Sequence, residues 1–196
     1  MPDYYQANFK KYSSETFTID PTSFLDPLLS YLPTGASILD IGCGSGRDLL
    51  WFKNKGFHTT GFERASHLAE LARLLSGCPV IEGDFVNYDF SLIKVDSLIL
   101  IGALVHVPHN DLAAILVNIS KALKKQGGHI LLSLKEGKGI RQHEDGRVFT
   151  LWTDRQLRRI FIERGFSVVD FSRQMSKISS DDVWLGYILR WHTGNI

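Results

Sequence analysis

Short apolar runs alternate along the chain with longer stretches in which apolar residues recur every three or four positions. The runs are residues 38–41, 57–62, 79–81, 96–101 and 129–134. Each reads as a parallel strand buried on both faces. Between them, Leu49, Leu50 and Phe52 predict a helix that starts at Arg47 and stops at Gly56, and residues 65–75 predict another that stops at Gly77. Leu112, Ile115, Leu116, Ile119 and Leu123 share one face of a helix that begins at His109 or Asn110. It ends at Lys125, with Lys121, Lys124 and Lys125 at its carboxyl end. Ahead of the first run, Asp20-Pro21 is a helix start, and Phe24, Leu25, Leu28, Leu29 and Leu32 carry that helix to Pro33. After the fifth run, Thr153-Asp154-Arg155-Gln156 is a capping box, with Leu157, Ile160 and Phe161 inward and Gly165 at the helix end. Strands at 166–171 and 183–191, joined by a polar loop, predict a C-terminal antiparallel hairpin. The pattern predicts an α/β fold: a seven-stranded, mostly parallel sheet flanked by helices and closed by that hairpin.

The first run carries the chemistry. Asp40-Ile41-Gly42-Cys43-Gly44-Ser45-Gly46-Arg47 joins a strand to a helix through a glycine turn, which suits a nucleotide. A dinucleotide site wants G-x-G-x-x-G, whereas this turn is G-x-G-x-G with an acid two residues before it. An acid there is awkward for a diphosphate and suits a ligand with an amino group. Glu63 closes the second run about 20 residues past the glycines, where an acid can accept from both hydroxyls of a ribose. Gly83-Asp84-Phe85 follows the third run and offers an acceptor and an apolar face.

These stretches, in this order, resemble the motifs of the class I S-adenosylmethionine-dependent methyltransferases, which are Rossmann-like. The resemblance is specific over residues 37–135 and weaker elsewhere. It implies that Asp40 lies near the methionine end of the cofactor, above a turn of Gly42, Cys43, Gly44 and Gly46. It implies Glu63, with Arg64 beside it, at the ribose, Asp84 and Phe85 at the adenine, and Ile101 and Gly102 flanking the cofactor. Arg47 either reaches the methionine carboxylate or is an exposed helix arginine. His106 would face the transferred methyl, as a general base or merely packed beside the cofactor. His106 and His109, with Asp111 nearby, are two histidines with no third ligand in recognisable metal spacing, so no metal is expected.

Two further segments are expected to meet the acceptor. Residues 1–34 hold Tyr4, Tyr5, Asn8, Phe9 and Tyr12, which form either a helix packed on the domain or a lid over the cofactor. Tyr12 is the first candidate contact there. Residues 136–196 supply a substrate-side loop, the last helix and the hairpin. The stretch from Ser133 through Lys135 and Gly137 to Gly146, Arg147, Phe149 and Thr150 resembles a small bacterial-type subfamily with an S-x-K-x-G … G-R-x-F-T signature. Read as a mobile glycine-rich loop, it puts Lys135, Lys138, Arg141 and Arg147 on one rim for an anionic substrate group. Read plainly, it is a solvated loop in which Arg147 and Phe149 hold the last helix.

Composition narrows the rest. The 196 residues suit one domain, and 44% hydrophobic with 22% charged residues is ordinary for a globular protein. A net charge of +1 gives no case for nucleic acid or an anionic membrane, and the arginines at 155, 158, 159 and 164 fit an outward helix face. Two cysteines make no disulfide scaffold. Residues 1–11 lack the apolar core of a secretory signal, and no run approaches the ~20 residues of a membrane span. A cytoplasmic protein is expected, with no pattern that speaks to oligomeric state. Methyl transfer from S-adenosylmethionine to a small molecule, leaving S-adenosylhomocysteine, is the leading expectation. Neither Asn-Pro-Pro-Tyr nor Asp-Pro-Pro-Tyr follows the fourth run, against amino methylation of adenine or glutamine. A metalloid or thiol acceptor, an RNA or protein acceptor, and a non-catalytic cofactor-binding sensor or partner subunit are the alternatives. An NAD-dependent oxidoreductase is disfavoured by Asp40 and the glycine spacing.

Overall fold

The computed structural model describes residues 4–124, 127–179 and 181–192. Two short helices come first, α1 (Tyr4–Ala7) and α2 (Phe9–Thr16), followed by α3 (Thr22–Leu25). The parallel unit is then β1 (Ser37–Ile41), α4 (Arg47–Asn54), β2 (His58–Glu63), α5 (Ser66–Ser76), β3 (Val80–Glu82) and β4 (Ser97–Ile101). It continues with α6 (Leu112–Ser120) and β5 (His129–Lys135), and a separate two-stranded hairpin follows, β6 (Ile140–Gln142) with β7 (Val148–Thr150). α7 (Asp154–Glu163), β8 (Phe166–Met175) and β9 (Val183–Trp191) complete the order.

The main sheet has seven strands in the order β3-β2-β1-β4-β5-β9-β8. β1 to β5 are parallel, and β9 runs antiparallel between β5 and β8. The chain order reverses between β1 and β4, so the crevice at their carboxyl ends is where such sheets take ligands. Alternate β1 side chains serve opposite layers. Leu39 and Ile41 pack with Leu116, Leu157 and Phe161 from α6 and α7. Ile38 packs with Leu25, Leu28 and Phe52 on the other face. Asp40, in register with Gly61 and Ile99, is the acid embedded in this apolar strand. The capping box of α7 is formed in both directions.

Several expectations change. The helix expected from Asp20 to Pro33 is one α-turn, α3, followed by a 3₁₀ segment over Asp26–Tyr31. Pro27 explains this, because its ring clashes with the carbonyl four residues back and it has no N–H to give. α6 stops at Ser120, since Val95 draws Leu123 into a bridge, and Lys125 lies outside the described residues. β8 runs on to Met175, so the polar loop before β9 is shorter than expected. The stretch read as a mobile loop folds as the β6-β7 hairpin, whose Thr150 N–H donates to the Val105 carbonyl. Among the described residues no helix is long and apolar enough to cross a membrane.

Candidate active site

The glycine turn is forced by its surroundings. Gly42 and Gly44 have φ of +72° and +55°, which L side chains rarely adopt. A Cβ on Gly42 would lie 2.8 Å from the Ala103 Cβ, beyond β4, and one on Gly44 would lie 3.1 Å from Tyr12 Cε1. The turn is thus pressed between the end of β4 and the N-terminal helix pair. Glu63 holds it from β2: one carboxylate oxygen accepts from the Gly44 N–H at 2.9 Å. The other accepts from the N–H groups of Arg64 and Ala65, both at 2.9 Å. Glu63, expected from the sequence at a ribose, is therefore a clamp on the glycine turn.

A cavity of about 550 Å³ opens at the reversal of strand order. On the β1–β2 side it is lined by Tyr12, Asp40, Gly42, Cys43, Gly44, Arg47 and Glu63, and at the end of β4 by Ile101 and Gly102. Across from them lie His106, Lys135, Arg147 and Phe149. Gly46 supports the turn against Ala72 from outside the cavity wall. Arg64, Asp84 and Phe85 also stand outside it, beyond β2 and β3. There Arg64 is 3.7 Å from Asp84, the Asp84 Oδ1 accepts from the Val86 N–H at 2.9 Å, and Phe85 packs on the core.

The two sides differ in charge. Asp40 is only 3% exposed, and its Oδ2 has no hydrogen-bond partner among the described residues. Burial raises its pKa well above the usual carboxylate range. Asp48 and Glu63 push the same way, against the pull of Arg47. Arg47 is engaged by Asp48 at 2.6 Å and 3.1 Å, and by the Thr16 carbonyl at 3.5 Å. On the opposite side the cations have acids of their own. Lys135, at the end of β5, pairs with the buried Asp182, as does Arg141 at 2.6 Å. Lys135 also lies 4.4 Å from the Phe149 ring and 5.3 Å from the Trp184 ring, a cation–π arrangement. Arg147 grips Asp145 through two nitrogens, at 3.0 Å and 2.6 Å, and stacks on Tyr4 at 4.4 Å. The expected basic rim is therefore largely neutralised, and Phe149 is buried beside His106, its ring centre 4.8 Å away.

Some working residues escaped sequence reasoning. Ser133 accepts the Gly102 N–H at 3.0 Å, fixing the turn after β4. Asp182, Asp145, Asp48 and Trp184 have no local signature. Tyr5 sat in the aromatic N-terminal cluster that drew attention, but only the fold brings it to His106, 2.8 Å from its hydroxyl. On α7, Arg158 and Arg159 pair with Asp154 and Glu163 along the helix, as an outward face does.

The fold has many counterparts. A methyltransferase from Methanosarcina mazei, described as S-adenosylmethionine-dependent, superposes with a TM-score of 0.74 at 17% identity, over 86% of this chain and 98% of that one. The 1,6-didemethyltoxoflavin-N1-methyltransferase of Burkholderia thailandensis, solved with its substrate and S-adenosylhomocysteine, gives 0.72 at 19% identity, over 96% and 88%. The magnesium protoporphyrin IX methyltransferase of Synechocystis, with S-adenosylhomocysteine, gives 0.76 at 14%, over 96% of both chains. In sequence, an uncharacterized methyltransferase of Oceanobacillus iheyensis is 24% identical over 106 residues, 52% of this chain and 50% of that protein. The chain thus spans about half the length of the curated relative it matches. A family model described as a methyltransferase domain matches residues 15–170, and the chain belongs to that family.

Proposed function

We propose that the cavity binds S-adenosylmethionine and that the protein transfers its methyl group to a small-molecule acceptor, releasing S-adenosylhomocysteine. The observation that carries this is the Oδ2 of Asp40, an oxygen of a buried carboxyl in the cavity lining that has no hydrogen-bond partner among the described residues. An ammonium group satisfies it: the cation would draw Asp40 into its ionised form and form a charge-assisted hydrogen bond. A diphosphate would meet Asp40, Asp48 and Glu63 instead, which argues against NAD. Glu63, a carboxylate at the end of β2 in the cavity lining, is the proposed ribose partner, and the adenine end extends toward Asp84 and Phe85. Arg47 is held by Asp48, so a carboxylate there would share it rather than own it.

When bound, S-adenosylmethionine supplies an electrophilic methyl and a thioether leaving group. The protein's residues then align the acceptor and exclude water, and Tyr12 over the glycine turn serves both ends. The acceptor side is walled by the subfamily signature itself, from Ser133 and Lys135 to Arg147 and Phe149, which supports placing the chain in that subfamily. Lys135 and Arg141 share one carboxylate, leaving one positive charge for an anionic group on the acceptor. That makes Lys135 and Arg141, rather than the Asp145-bound Arg147, the proposed anion contact. Size favours a small acceptor, as in the toxoflavin-precursor enzyme of similar fold. The test is a metabolite panel incubated with methyl-labelled cofactor and read by mass spectrometry. Label in a small acceptor is expected. Tight S-adenosylmethionine binding without transfer to any panel member would favour a sensor.

A further inference from the structure

A second cavity, of about 350 Å³, shares no lining residue with the cofactor cavity. That volume is within the roughly 300–1,000 Å³ over which small-molecule sites occur. His109, Gly139 and Trp152 line it from the segments that follow β4, β5 and β7, and Gln156, Arg159 and Ile160 line it from α7. Its lining holds donors and no acid. The Trp152 side chain is buried, and its Nε1–H has no hydrogen-bond partner among the described residues. Gln156 commits its carbonyl oxygen to the N–H and hydroxyl of Thr153, at 3.0 Å and 2.7 Å, which leaves its amide N–H groups to give. Arg159 pairs with Glu163 at 3.5 Å, but the two side chains are 78% and 57% exposed, so water screens the pair and a ligand can share the guanidinium. His109 turns its Nε2 to the Leu151 carbonyl at 3.0 Å, and its ring centre lies 4.4 Å from that of Trp152.

We propose that this cavity is a second ligand site, distinct from the one for cofactor and acceptor, and that it takes a small, flat organic carboxylate. The proposal goes beyond the methyltransferase reading and does not depend on it. A buried indole N–H without a partner is a donor that a ligand oxygen satisfies. The planar guanidinium of Arg159 matches a carboxylate through two parallel bonds, and a single cation suits a monoanion better than a phosphate. A cationic ligand would meet Arg159 with no acid in the lining to offset it. The rings of Trp152 and His109 and the side chain of Ile160 suit a ring or short hydrocarbon behind the carboxylate. The site also lies against the acceptor wall. The Trp152 N–H donates to the Lys135 carbonyl, and the Gly137 N–H donates to the Trp152 carbonyl, both at 2.9 Å. Lys135 itself lines the cofactor cavity, so the two sites meet through the backbone at the end of β5.

Titration of the whole protein with benzoate, read on the indole N–H resonances by proton–nitrogen NMR, tests this without cofactor or turnover. Benzamide, neutral and of the same shape, is the control. Benzoate should move the Trp152 Nε1–H resonance saturably, and benzamide should move it less. Arg159→Ala, an exposed position outside the cofactor cavity, should weaken benzoate binding by about twofold to fivefold. A Trp152 resonance that stays still, one that benzamide moves as far as benzoate does, or a titration that Arg159→Ala leaves unchanged overturns the proposal. A benzoate response confined to the Trp184 resonance would place the carboxylate at Lys135 and Arg141 in the acceptor cavity, and would overturn it as well.

Discussion

The two sides of the cavity are built in different ways. On the β1–β2–β3 side the contacts join residues close in sequence: Gly44 to Glu63 across 19 residues, Arg47 to its neighbour Asp48, Val86 to Asp84. On the acceptor side, apart from Arg147 to Asp145, they join distant segments: Tyr5 to His106 across 101 residues, Lys135 to Asp182 across 47, His106 to Val148 across 42. The charges follow the same division. The first side keeps one buried carboxyl with an unsatisfied oxygen, while the second gives its cations acids and ring faces. One side keeps a carboxyl oxygen without a hydrogen-bond partner among the described residues, and the other pairs its cations within the protein.

The comparison is broken most forcefully on the acceptor side. Asp182→Ala should cost about 3 kcal/mol of stability, the low end for breaking a buried pair, because the open cavity screens it. Burial pushes the Asp182 carboxyl up, but Lys135 and Arg141 pull it down further, and the net shift is below the ordinary value. A depressed carboxylate pKa stabilises above the unfolded value and loses that contribution as pH falls through the folded one. The cost in urea titrations should therefore shrink toward acid pH. A pH-independent cost would show that the pair is not ionic.

The ligand side should lose binding instead. Asp40→Ala and Glu63→Ala should each weaken S-adenosylmethionine binding by ~1–3 kcal/mol in calorimetry. Glu63→Ala should also destabilise the free protein, since it strands the Gly44 N–H, whereas Asp40→Ala should not. A smaller gain is expected from Asp40→Asn: the free protein should be more stable by about 0.5–2 kcal/mol. The sign comes from the raised Asp40 pKa. The unfolded chain ionises first, so the wild type loses stability as pH rises from the ordinary carboxylate value to the folded one. Thermal melts across that window should show the decline in wild type and not in Asp40→Asn. The smallest effect belongs to Arg141→Ala, whose side chain is 43% exposed. It should raise KM for an anionic acceptor by about fivefold or less, with kcat unchanged.

The same division explains what the sequence could reveal. The strands and the glycine turn are written in contiguous residues: Ile38, Leu39 and Ile41 are apolar because both sheet faces are covered, and Gly42 and Gly44 adopt conformations that glycine permits. Glu63 was legible from its place at a strand end, but its bonds to Gly44, Arg64 and Ala65 needed the packed turn. The run of glycines at 137, 139 and 146 looked like mobility. In the fold Gly137 sits where a Cβ would meet Leu151 at 2.9 Å, so glycine there serves close packing. The lysine and arginines at 135, 141 and 147 read as free charge because Asp182 is remote from two of them, and nothing in the loop announced that Asp145 would close back on Arg147. Pro27 was visible and undervalued: one proline turned an expected helix into a 3₁₀ segment without disturbing Leu25 and Leu28 in the core.

The most direct test is calorimetry of the wild-type protein with S-adenosylhomocysteine and, separately, NAD, repeated with Asp40→Ala. Binding of S-adenosylhomocysteine, loss of ~1–3 kcal/mol of it in Asp40→Ala, and no NAD binding are predicted. NAD binding, or S-adenosylhomocysteine binding that is unchanged by removing Asp40, would contradict the cavity's assignment to a cofactor with an ammonium group.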